Sequence, residues 1–171
     1  KNLWSDTEAK KIVKFNSKKG IGKELALRVY SSRLLGNNKK LVMHGGGNTS
    51  VKCKIKDYFG NSIDVLNIKG SGWDLGNIEA EGLPAVRLQE LLNLLKLEKL
   101  TDEEMVNAQR NNLLNSSSPT PSVETLLHAI IPYKFVDHTH SDAILSILDQ
   151  LNSQEIIKKI YGNDALFIPY I

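Results

Sequence analysis

His138-Thr139-His140 is the segment of this sequence with the plainest chemical meaning. Two histidines at i and i+2 on an extended strand project from the same face, so both imidazoles can meet one ion. Zn²⁺ takes nitrogen donors of this kind, and a catalytic zinc keeps a position open for substrate. The chain has four histidines, and two of them stand here. Asp137 precedes the pair and, on a strand, points to the opposite face. The motif is short, and a pair of core or surface histidines is its plain alternative. Glu124 lies 14 residues before His138, in the first turn of an expected helix. A carboxylate there steadies the helix dipole. Beside a metal it becomes a general acid or base. His128 shares the helix face of Glu124 and reads as a structural hydrogen-bond partner.

Two glycine turns add a second kind of chemistry. In Gly45-Gly46-Gly47-Asn48-Thr49-Ser50 the glycines let backbone N–H groups converge, and Asn, Thr and Ser add side-chain donors. That suits an anion. The turn lacks the Gly-Lys-Ser/Thr ending of a nucleotide loop and the spacing of GxGxxG, which disfavours a nucleotide. Its plain alternative is a turn that leads into a strand. Gly70-Ser71-Gly72 is a weaker signal of the same type.

The elements that must position these residues follow from periodicity. Residues 21–35 have helical spacing and end at Gly36-Asn37-Asn38, a C-cap signature. Val51, Cys53 and Ile55 alternate with lysines, which predicts a half-buried strand over 51–56. A turn at 59–62 and an apolar run at 63–68 make the return strand of a hairpin. A leucine-rich helix over 84–95 has Pro84 in its first turn. Thr101 to Glu104 is a capping box that opens a helix over 102–114. Ser122 N-caps a helix over 123–131, which Pro132 ends. A strand at 135–137 runs into the histidine pair. Helices over 141–150 and 153–161 and a strand from 165 to 168 complete the reading. Consecutive strands pair as a hairpin, so the sheet is not a doubly wound one.

Composition narrows the class. The chain has 171 residues, 41% apolar and 24% charged, enough for one α/β domain with a core of its own. No run of 18 apolar residues predicts a transmembrane helix. The basic N-terminus has no apolar stretch of a secretory signal. The single cysteine, Cys53, cannot form an internal disulfide and suits a reducing, cytoplasmic compartment. The net charge of +3 is uneven: residues 1–56 carry 14 Lys/Arg against 3 Asp/Glu, the remainder 8 against 16. No aromatic residues interleave with the basic ones, which argues against nucleic acid and leaves a small phosphorylated substrate or a solvated face. The chain starts at Lys1 and stops inside an apolar run at Ile171, so a longer parent protein is expected.

HGGGNTSVK (44–52), KGSG (69–72), PSVETLLH (121–128) and DHTHSDA (137–143), in this order, resemble the class II aldolase/adducin family. SSRLLG (31–36) and DLGNIEAEGLPAVRLQELL (74–92) are similar to the aldolase part of bifunctional rhamnulose-1-phosphate aldolase/alcohol dehydrogenases. The resemblance spans about residues 22–171. It implies a three-layer α/β/α domain around a mainly antiparallel sheet, usually assembled as a tetramer. It implies His138 and His140 as Zn²⁺ ligands and Glu124 as the proton-transfer residue. It implies a substrate phosphate held by Gly47, Asn48 and Ser50, by Ser71 and Gly72, and by Ser122. Val123 stands where the family usually has a second serine. The family's third histidine ligand lies downstream, and none of the 31 residues after His140 is histidine, so residues 1–171 read as one domain incomplete at its C-terminus. The implied activity is zinc-dependent aldol cleavage of a ketose 1-phosphate. A pentulose-phosphate 4-epimerase and a non-catalytic adducin-like interaction module stay open beside it. An NAD-dependent dehydrogenase domain is expected downstream.

Overall fold

The computed structural model describes residues 2–169. A four-stranded sheet organises them, in the order β3-β2-β1-β4 with every neighbour antiparallel. Its strands are β1 (Asn48–Lys56), β2 (Ser62–Ile68), β3 (Ala85–Arg87) and β4 (Phe135–His138). The helices are α1 (Asp6–Ser17), α2 (Lys23–Gly36), α3 (Leu88–Leu94), α4 (Asp102–Asn111), α5 (Thr125–Ile130), α6 (Asp142–Leu148) and α7 (Ser153–Tyr161). Short 3₁₀ turns at Leu75–Asn77 and Ala80–Gly82 follow the glycine turn after β2.

Strand parity divides the central strand between two cores. Thr49 of β1 faces α2, where its hydroxyl lies 2.7 Å from that of Ser32. On this side Val29, Val42, Leu75, Ile78 and Leu83 form one buried cluster. Ser50 and Lys52 face the other way and bond to α5. On that side Leu66, Ile68, Val86, Leu91 and Ala129 form the second cluster. Each fully buried Leu or Ile stabilises the fold by roughly 1.5–3 kcal/mol relative to an exposed one. The result is the expected three-layer α/β/α arrangement, with α2 and the 3₁₀ turns on one face and α3 with α5 on the other.

Several boundaries differ from the sequence reading. The expected helix over 84–95 begins only at Leu88, because Ala85–Arg87 pairs with Val65–Asn67 as a third sheet partner of the hairpin. Sheet pairing wins there over the helical position of Pro84. Residues 165–168 are irregular and not a strand. The lysine-rich segment that forms α1 was not read as a helix, although Ala9, Ile12 and Val13 stand at helical spacing in it. Ser5 starts it by accepting the Glu8 N–H at 3.4 Å. Trp4 then packs on Tyr30 of α2 at 4.9 Å between ring centroids. The capping box at Thr101 and Glu104 is present as expected, with α4 ending at Asn111. Among the described residues, no helix is long and apolar enough to cross a membrane.

Candidate active site

The site forms where β1, β4 and the start of α5 meet. Register pairs Asn48 directly with His138 across β1 and β4. Asn48 therefore stands beside the first histidine, although 90 residues separate them in sequence. Glu124 closes the group from the N-terminus of α5. Its Oε2 lies 2.8 Å from His138 Nδ1 and accepts a hydrogen bond from Asn48 Nδ2 at 3.0 Å. The same Asn48 amide donates to the Ser122 hydroxyl. Ser122 in turn accepts the Glu124 N–H at 3.2 Å within the turn before α5, and the helix itself begins only at Thr125 with Glu124 at its N-cap, not over 123–131 with Ser122 as cap. His140 lies just beyond the end of the strand, its ring centroid 4.7 Å from that of His138. His140 is anchored by its own N–H, which donates to Leu41 O at 2.9 Å.

The two glycine turns arrive at the same place. Gly47 has φ +68°, and a Cβ there would sit 3.0 Å from His138 O. Only glycine brings β1 this close behind the histidine. Gly70 bridges to Pro121, and Ser71 donates its N–H to Thr120 O at 2.8 Å. Ser122 donates its N–H to Lys69 O at 3.2 Å. The Gly70-Ser71-Gly72 turn is thus stitched to the loop that carries Ser122, and Ser71 and Gly72 stay exposed. Asn48 and Ser122 meet directly, and the Ser71-Gly72 turn lies beside the loop that carries Ser122. Val123 is 69% exposed and adds no polar group to it. Ser50 does not join them. It is 1% exposed and its hydroxyl is 2.8 Å from His128 Nδ1, so in this geometry it builds the interior.

Electrostatics follow from burial and partners. Burial pushes the Glu124 carboxyl up, but hydrogen bonds from His138 and Asn48, with the nearby histidine charges, outweigh it and leave it below the ordinary carboxylate range. Burial pushes His128 down to about 4, against a partial lift from Glu124, so it is a neutral imidazole at pH 7. This is the structural role its sequence position suggests. Asp137 faces α2 rather than the histidine pair, as strand parity requires, and pairs with Arg28 at 2.7 Å.

Three cations went unassigned by sequence reading. Arg28 is 2% exposed and donates to Ser50 O at 3.1 Å and Val136 O at 3.0 Å. Lys52 donates to the carbonyls of His128, Ile131 and Tyr133, which caps the C-terminal end of α5. Lys69 donates to Gly45 O at 3.0 Å and so ties the two glycine turns together. Burial lowers its ammonium pKa, with Asp74 and Glu124 opposing. The lysine of KGSG was a signal in the sequence for Lys69. An arginine one helix turn into an apolar pattern gave none for Arg28.

Part of the donor set that a zinc takes is present here. Two imidazoles lie side by side, and a carboxylate holds His138 Nδ1, a pairing that suits a metal-bound histidine. Among the described residues no three His, Cys, Asp or Glu side chains gather as a complete ligand set. His138 and His140 therefore fit as two of the donors of a zinc.

An antiparallel sheet between helical layers, with a glycine-turn edge beside a His-Thr-His strand end and a helix-start glutamate, defines a class II aldolase-type domain. The chain belongs to the class II aldolase/adducin family: the profile of the Class II Aldolase and Adducin N-terminal domain matches residues 27–170. It is similar to a solved N-terminal class II aldolase domain of a conserved protein from Thermoplasma acidophilum, at 42% identity and TM-score 0.86 over all of this chain and 74% of that one. It is 41% identical over its whole length to the uncharacterized oxidoreductase YuxG of Bacillus subtilis (strain 168). The chain spans 24% of that relative's length.

Proposed function

We propose that this domain performs zinc-dependent aldol cleavage of a ketose 1-phosphate similar to rhamnulose 1-phosphate. The observation that carries the reading is the Asn48–Glu124–His138 group, a carboxylate fixed by two donors beside a second histidine. His138 and His140 would hold the metal. A zinc ion bound there supplies Lewis-acid polarisation of a carbonyl oxygen. The remaining work belongs to the chain. The exposed Ser71 and Gly72 turn, with Gly47, Asn48 and Ser122, binds the phosphate and fixes the reacting carbons relative to Glu124. In the cleavage direction the C3–C4 bond breaks and its electron pair passes to C3, conjugated with the C2 carbonyl. The C4 hydroxyl passes its proton to the Glu124 carboxylate, which is ionised at rest, and becomes the aldehyde. Glu124 delivers a proton to C3, which gives dihydroxyacetone phosphate and, from rhamnulose 1-phosphate, lactaldehyde.

A dehydrogenase domain elsewhere in a longer parent protein would then use NAD on the aldehyde, in keeping with the oxidoreductase name of the far longer Bacillus relative. A cytoplasmic homo-oligomer is the expected setting. The test is an assay of the full-length protein with zinc and rhamnulose 1-phosphate, reading dihydroxyacetone phosphate. Glu124→Gln should lower turnover by about 10²–10⁴-fold, the usual contribution of a positioned acid–base group. Wild-type turnover in that variant would overturn the assigned role. An epimerised pentulose phosphate with no cleavage product would replace the aldolase reading with the epimerase one.

A further inference from the structure

We propose that Arg28 is a positioning residue: through Asp137 it locks the register of β4 so that His138, rather than its neighbours, faces Glu124. The inference rests on the metal-site reading only for the consequence, and its geometry stands independently. β4 has four paired residues and bonds to the sheet on one side only, through β1. A short edge strand is weakly registered by its ladder, and a one-residue slip turns every side chain to the opposite face. Such a slip would carry His138 to the α2 side and replace it at the site with a neighbour that has no imidazole.

The Arg28 guanidinium is placed to forbid that slip. A single nitrogen, Nη1, donates to both Ser50 O and Val136 O, the residues that stand directly opposite each other in the β1–β4 ladder. The same nitrogen is 2.7 Å from Asp137 Oδ1. The guanidinium also lies 5.3 Å from the Phe135 ring centroid. Ser31 Oγ receives its Nε at 3.1 Å and its Nη2 at 2.6 Å, which holds the fork on α2. A charge buried in this way keeps its paired carboxylate on its own side of the sheet. With Asp137 held toward α2, alternation leaves Val136 and His138 facing α5.

The lock is tested in the full-length protein by backbone amide exchange and by zinc titration, with Asp137→Asn, Arg28→Lys and Arg28→Met. Asp137→Asn removes the paired charge and keeps the guanidinium bonds to the strands, so the fold survives. The expected result is at least tenfold faster exchange at Val136 and His138, with the β1–β2 hairpin from 52 to 66 unchanged. Zinc affinity should fall about 10–100-fold, as when a group that orients a metal ligand is lost. Arg28→Lys should fall between wild type and Arg28→Met. Equal loss of protection in β4 and the hairpin would show a merely structural role and overturn the proposal, as would unchanged exchange in β4. If the wild-type protein takes up no zinc, the metal reading fails while the exchange comparison still decides the lock.

Discussion

The buried neutral His128 makes stability depend on pH in a way that can be worked out in advance. Its folded pKa is about 4 against an ordinary 6.5, because burial dominates and the charges of His138, Lys52 and Arg28 add to it, with Glu124 opposing. The folded value is the lower one, so between pH 6.5 and 4 the unfolded chain binds more protons. Stability is therefore intact above about pH 6.5, declines as pH falls through this window, and levels off below about 4. At 1.36 kcal/mol per unit the full shift corresponds to about 3 kcal/mol, and to about 2 kcal/mol once solvent screening near the open site is allowed for. Other groups titrate in the same range, so the measurement is a difference. Urea unfolding is followed from pH 7.5 to 4 for wild type and for His128→Asn, whose Oδ1 can accept the Ser50 hydroxyl in place of Nδ1. The variant's curve should be flatter by about 2 kcal/mol across that span. Parallel curves would mean that His128 is charged or solvated in the fold, and the assignment of a neutral buried partner to Ser50 would be wrong.

Other consequences are read with simpler assays. Leu91 is fully buried between α3 and β2, so Leu91→Ala should lower the unfolding free energy by about 2–5 kcal/mol in the same denaturant titration. Gly47→Ala forces a Cβ against His138 O at a left-handed φ, and should cost about 1–3 kcal/mol of stability and weaken zinc uptake in a metal titration. Cys53, whose thiol is pushed up to about 12 by burial with Glu24 adding, should resist thiol reagents at pH 8 in the folded protein. It should react once urea unfolds the chain. Fast labelling in the folded state would contradict its half-buried place beside Glu24 and Lys134.

Much of the site was legible in the sequence because its residues sit on periodic or turn-forming segments. The i, i+2 spacing of His138 and His140 put them on one face, and parity alone sent Asp137 to the other, where Arg28 holds it. The hairpin of β1 and β2 followed from alternation of Val51, Cys53 and Ile55 with lysines. Glu124 was legible as a helix-start carboxylate, but its two partners were not, since Asn48 and His138 reach it only through long-range pairing. Ser50 shows the reverse case. Its place in a glycine-rich turn suggested anion binding, whereas the strand begins at Asn48 and turns the Ser50 hydroxyl inward onto His128. Helix α1 was missed although Ala9, Ile12, Val13 and Asn16 hold helical spacing, because that stripe is short and lysines surround it.

The pairing of Asn48 with His138 also governs when the site comes into being as the chain folds. The β1–β2 hairpin closes a short loop, from Lys56 to Ser62. The bond between Asn48 and Glu124 closes one of 76 residues. At about 0.6 kcal/mol per doubling of loop length, that closure costs about 2 kcal/mol more than the hairpin's. The hairpin therefore supplies an early nucleus of local contacts, and the histidine–glutamate group assembles late, on a frame already formed. The zinc uptake proposed for His138 and His140 would then report the last step of refolding rather than the first.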